Sequence, residues 1–172
     1  MEYEELIRER YSVRKYSQEP IEGDKLDLIL EAGRLAPTGH NNQPQRVYVL
    51  KSEEAVEKIR SLTRCAFNAP VVLMITYNKE EEWKNDLEPG QSSGVEDAVI
   101  AATHMMLEAW EQGLGSVWVR LFDVKAAAKA FGLPPYMRPV CLLPVGYASE
   151  DCVPYAPWHD VYRPIESFCK EL

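Results

Sequence analysis

The chain has 172 residues, 46% hydrophobic and 27% charged, with 12 prolines and 9 glycines; this composition excludes a disordered chain and suits one domain spanning 1–172. Acidic residues outnumber basic ones by 27 to 19, and the net charge of −8 argues against a nucleic-acid or anionic-membrane binder, which needs a basic footprint. The apolar run at Val71–Ile75 is far short of the roughly 18 residues of a spanning helix.

In chain order, Met1 to Arg10 reads as a charged amphipathic helix, without the apolar core of a secretory signal, in which Tyr3, Leu6, Ile7 and Arg10 share a face. A second helix from about Asp24 to Leu35 turns Leu26, Ile29 and Leu30 inward and is stopped by Pro37. Arg46 to Lys51 alternates as a strand, and Ser52 caps a short helix ending near Arg60. The continuous β-branched run Val71 to Tyr77 predicts a central strand buried on both faces. Ser93 and Glu96 have the spacing of a capping box. It would start a long helix whose apolar face holds Val95, Ala98, Ala102, Met105, Met106 and Ala109, ending at Gly113. A strand from Ser116 to Leu121, a helix from Asp123 to Gly132 and a strand from Val140 to Gly146 follow. Strands alternating with helices predict an α/β or α+β domain of two or three layers. From Ser149 onward, prolines alternate with Tyr155, Trp158, Tyr162 and Phe168, a tail too apolar to hang free. The cysteines Cys65, Cys141, Cys152 and Cys169 form no Cys-x-x-Cys pair and read as free thiols of a reducing cytoplasm.

Three segments have the makings of a site. Arg8 to Lys15 holds four cations and one anion, and Arg10, Ser12 and Arg14, two apart, project to one side of an extended segment. Two guanidinium forks and a hydroxyl suit a phosphate; the plainer reading is a solvated patch paired with nearby glutamates. Ala36 to Pro44 is dense in amides and turn formers. Its Asn41, Asn42 and Gln43 can read a polyol or a heteroaromatic edge, or simply make a turn. Gly113 to Arg120 is a helix stop leading into a strand, where two glycines permit close approach of a flat ligand or only a tight connection.

Taken together, order and spacing resemble the FMN-dependent nitroreductase family over nearly the whole chain. Arg10-Tyr11-Ser12-Val13-Arg14 is similar to its Arg-x-Ser-x-Arg opening and Asn41 to Pro44 to its Asn-x-Gln-Pro loop. Asp97 to Ala101, Gly115 to Trp118, Leu143 to Tyr147 and Arg163 before Pro164 also fit. Gln45 stands where the family usually has Trp, and the chain leaves little room for the helical insert over the flavin, which implies an open site. The resemblance implies an α+β, three-layer α/β/α sandwich with a central mixed sheet, and a homodimer with FMN at the subunit interface. Residues 149–172 would embrace the partner. Arg10, Ser12, Arg14 and Arg163 would hold the phosphate and ribityl chain, with Thr38 and Asn41 reaching in from the partner and Gln43 supporting their loop. Ser116, Val117 and Trp118 would lie against the isoalloxazine. It further implies an NAD(P)H oxidoreductase that reduces nitroaromatics, quinones or similar acceptors by ping-pong hydride transfer through flavin N5, with no obligatory side-chain acid or base. The scattered His40, His104 and His159 and the cysteines without ligand spacing predict no metal site.

Two other classes compete. An FMN-binding sensor or carrier would need the same residues. Gly90-Gln91-Ser92-Ser93-Gly94 matches a serine-hydrolase elbow, and Ser92, Asp123 and His159 can be written as a triad, but the acidic stretch before it is no buried strand.

Overall fold

The computed structural model describes residues 1–172. Its frame is a four-stranded sheet in the order β1-β2-β4-β3, built from β1 (Gln45–Leu50), β2 (Val71–Asn78), β3 (Gly115–Ser116) and β4 (Met137–Gly146). Every ladder is antiparallel, and the parallel component of the sheet is a single bridge from Ser12 to Ser116. All eight residues of β2 are buried, as its unbroken apolar run predicts.

The pleat of β2 divides the core. Val71, Leu73, Ile75 and Tyr77 face one way and pack with Leu26 and Ile29 of α2 (Gly23–Arg34) and with Ala98, Ala102, Met105 and Ala109 of α4 (Gly94–Glu111). Val72 and Met74 face the other way, onto Ile59 of α3 (Glu53–Arg60) and Ala127 of α5 (Val124–Ala130). Helices on both faces of one sheet give the three-layer α/β/α sandwich. Ser52 caps α3 by accepting from the Ala55 N–H at 3.2 Å, and Asp123 caps α5 through the N–H groups of Lys125 and Ala126.

Four expectations are corrected. The first helix, α1 (Tyr3–Glu9), stops before Arg10 and buries nothing; Tyr3 is 66% exposed, and Arg10 takes an extended backbone. Ser93 makes no capping box with Glu96; its hydroxyl donates instead to the Asp97 carboxylate at 2.6 Å, and Val95 is exposed. The strand expected over Ser116 to Leu121 is a two-residue ladder followed by one bridge, Val119 to Leu142. The reason is Pro144: it has no N–H to donate, so the pairing keeps only a long Val117 N–H bond to the Pro144 carbonyl, at 3.4 Å. Finally, the two glycines ahead of that strand serve the fold. Gly113 takes a left-handed turn with φ +74 to end α4, and a Cβ on Gly115 would enter the Val13 side chain.

Candidate functional site

Arg10 to Arg14 runs as an extended segment along the sheet edge. The Val13 N–H donates to the Ser116 carbonyl at 3.0 Å, and Val13 itself is fully buried. Strand alternation therefore turns Arg10, Ser12 and Arg14 outward, where all three line one cavity of about 180 Å³. An adjoining cavity of about 420 Å³ shares Ser12 and Arg14 and adds Lys15. Neither Arg10 nor Arg14 has a carboxylate partner; Arg14 donates only to the Ser12 carbonyl, at 3.2 Å. Burial pushes the Arg10 guanidinium below its ordinary pKa, with Tyr162 acting weakly in the other sense. Arg10 is thus a partly desolvated cation with no counter-ion in its own chain, an arrangement with the charge to receive an anion.

The other walls come from the tail of the same chain. Tyr155 and Trp158 line both cavities, with the Arg14 guanidinium 5.8 Å from the Trp158 ring centre. The Tyr11 hydroxyl donates to the Cys152 carbonyl at 3.0 Å, and Lys15 pairs with Asp151 at 2.6 Å, fastening the start of the tail over the cationic row. Sequence patterning marks this tail as needing cover, but nothing in its spacing shows that its own chain supplies half of it. Arg163, expected beside the two arginines, is exposed and lies outside both cavity linings.

Ser116 and Val117 are buried against β4, and Trp118 is 40% exposed beside them. The bridge from Ser12 to Ser116 brings the first and third predicted segments together. The amide loop stands apart. Thr38, Asn41 and Gln43 line neither cavity; the loop packs on the start of α4, where the Gly39 N–H donates to Asp97 at 2.9 Å, and His40 lies 5.7 Å from the Trp83 ring. His40, Asn41 and Gln43 have φ of 51, 57 and 52, a left-handed cluster that costs of order 1–3 kcal/mol per residue and collects at binding sites. Two braces that the sequence reading missed hold it. Asp97 is one, and Arg46 is the other: its guanidinium donates to the Gln43 and Gln45 carbonyls at 2.7 and 2.9 Å and pairs with Glu81. Thr38 Oγ1 accepts from the Gln43 N–H at 3.1 Å.

The hydrolase triad does not assemble. Ser92 lines an acidic surface loop, Asp123 is spent on the α5 cap, and His159 sits on Tyr11.

A cationic row thus lies along the edge of a three-layer α/β/α sandwich, beside a half-exposed aromatic on the neighbouring segment. Comparison with known proteins gives the kinship of the chain. The nitroreductase family model matches residues 7–67 and 63–147, and the chain belongs to that family. It is 30% identical to YfhC of Bacillus subtilis, a candidate NAD(P)H nitroreductase, over 85% of this chain and 84% of that one. A nitroreductase family protein of Clostridium difficile 630 superposes with a TM-score of 0.91 at 32% identity, covering 99% of this chain and 98% of the other. A nitroreductase-type protein of Exiguobacterium sibiricum shares the fold at 20% identity and a TM-score of 0.85, over 100% and 98% of the two chains.

Proposed function

We propose that the protein is an FMN-dependent oxidoreductase that takes hydride equivalents from NAD(P)H and passes them to nitroaromatics, quinones or similar electron-poor acceptors. The observation that carries this reading is the convergence of Arg10, Ser12 and Arg14, uncompensated by any carboxylate, on one cavity at the edge of the Ser116–Trp118 segment. Family membership supports it, as do the relatives: YfhC is a candidate NAD(P)H nitroreductase, and the Exiguobacterium structure holds FMN.

The residues present fit that group. Arg10, Arg14 and the Ser12 hydroxyl would hold its phosphate, with donors matched to phosphate oxygens. Ser116, Val117 and Trp118 would flank its ring. When bound, FMN supplies the redox chemistry; the chain binds, orients and shields it. Thr38 and Asn41, too far along the fold to line the cavities of their own protomer, would reach the site of a second copy, with Gln43 supporting their loop. The exposed apolar second half of the tail, Val161, Tyr162, Ile165 and Phe168, would cover the partner, and Arg163 would arrive with it. One unit, 1–172, working as a homodimer in the cytoplasm, completes the reading.

The test is direct. Purified protein is expected to be yellow and to bleach on adding NADH or NADPH, then recover its colour with an acceptor. A colourless protein to which FMN gives no added thermal stability would refute it, because a ligand of the native state must stabilise that state.

A further inference from the structure

A second cationic basin lies beyond the first. Arg60, at the end of α3, Arg64, in the following 3₁₀ turn, and Arg120 line a cavity of about 620 Å³ together with Ser61, Thr63 and Asp123. None of the three arginines is in an ion pair. Arg120 donates to the Val140 carbonyl at 2.6 Å, and Arg60 reaches the Ala69 carbonyl only at 3.4 Å. The buried Nε of Arg60 has no partner at all. The one carboxylate in the lining, Asp123, already accepts from the Lys125 and Ala126 N–H groups. In a chain of net charge −8, three unpaired guanidinium groups around one cavity call for an anion.

Its position gives the anion a role. Ser116 pairs with Val145 and Val119 with Leu142, so the register is unbroken and the segment stays extended along β4. Arg120 therefore sits about 13 Å along the chain from Ser116. The basin is at the far end of the segment whose near end meets Ser12.

We propose that Arg60, Arg64 and Arg120 form a second anion subsite, which takes a phosphate monoester on the reactant that visits the cofactor ring. This rests on the flavoenzyme reading of the cleft. Three positive charges match a dianion better than a single carboxylate. Two reactants could carry it: the reductant, through the 2′-phosphate that distinguishes NADPH from NADH, or a phosphorylated acceptor.

The experiment titrates FMN-loaded protein with adenosine 2′-phosphate, inorganic phosphate and adenosine by calorimetry. Adenosine 2′-phosphate is expected to bind at least tenfold more tightly than adenosine. Arg64→Ala removes an exposed side chain with no internal hydrogen bond; it should abolish that preference while leaving FMN affinity within twofold. Arg120→Lys, which keeps a charge, should retain part of it. A rise in KM confined to NADPH in Arg64→Ala assigns the phosphate to the reductant, a rise confined to a phosphorylated acceptor assigns it to the acceptor, and no change in either overturns the role given to the subsite. Equal affinity for adenosine and its 2′-phosphate, or a tenfold loss of FMN from Arg64→Ala, overturns the proposal. A protein that binds no FMN overturns the cofactor reading instead, and phosphate binding lost with Arg64 would still be measurable in it.

Discussion

At the scale of single residues, the site depends on cations held ready without counter-ions. Arg10 is partly desolvated and unpaired, so the folded chain bears a cost that a bound phosphate would relieve. Removing either Arg10 or Arg14 by substitution with alanine should weaken FMN by at least about 1.5 kcal/mol, roughly tenfold in Kd, read by quenching of flavin fluorescence. An unchanged Kd would place the phosphate elsewhere. The thiols give a contrasting case, in which burial suppresses chemistry. Burial pushes the Cys141 thiol up to about 12, outweighing the opposing pull of Arg120, whereas Cys169 is exposed. Because the thiolate is the reactive form and a raised pKa withholds it until the pH approaches that value, native protein at pH 8 should spare Cys141 and label it only on unfolding. Mass spectrometry of the iodoacetamide-treated protein checks this; labelling of Cys141 before unfolding would contradict it.

At the scale of elements, the amide loop is a strained piece, and the start of α4 keeps it in place. The buried Asp97 carboxylate accepts from the Gly39 N–H and from the Ser93 hydroxyl, so Asp97→Ala leaves two donors without an acceptor. The expected cost is about 1–3 kcal/mol in urea unfolding, with faster amide exchange at residues 38–43. Asp97→Asn keeps an acceptor oxygen and should lose less. Equal losses in the two variants would show that the carboxylate is not the brace. Much of this level is legible in sequence, because it rests on local signals. The unbroken run of β2, the Ser52 and Asp123 caps, and the two-residue spacing of Arg10, Ser12 and Arg14 each specify their own geometry. What escapes is set by contacts remote in the chain. Ser93 turns to Asp97 because the carboxylate is fixed from outside the helix by Gly39, and the strand after Ser116 shortens because its partner is a proline. Arg60, Arg64 and Arg120 are separated by up to 60 residues, and only folding gathers them into one basin. No periodicity could display that grouping.

At the scale of the whole molecule, the two halves of the tail differ in what they touch. Residues 151–158 lie on their own chain: Lys15 pairs with Asp151, Tyr11 donates to the Cys152 carbonyl, and Trp158 stands over Arg14. Beyond Asp160, Val161, Tyr162, Ile165 and Phe168 are 66, 74, 65 and 85% exposed, an apolar surface that one protomer leaves uncovered. The uncovered face of α1, with Tyr3 66% and Ile7 41% exposed, adds to it. Two truncations separate the halves. Ending the chain after Asp160 keeps Asp151, Tyr155 and Trp158 but deletes the exposed segment, including Tyr162, which lines the smaller cavity; it should shift sedimentation toward the monomer while keeping most of the near wall of the two cationic cavities. Ending it after Ser149 removes that wall as well, and FMN affinity should fall further than in the longer truncation. If the chain ending at Ser149 sediments as the same dimer at the same concentration as the full chain, the apolar tail does not hold two copies together. The loop at Thr38 to Gln43 would then have no second site to reach.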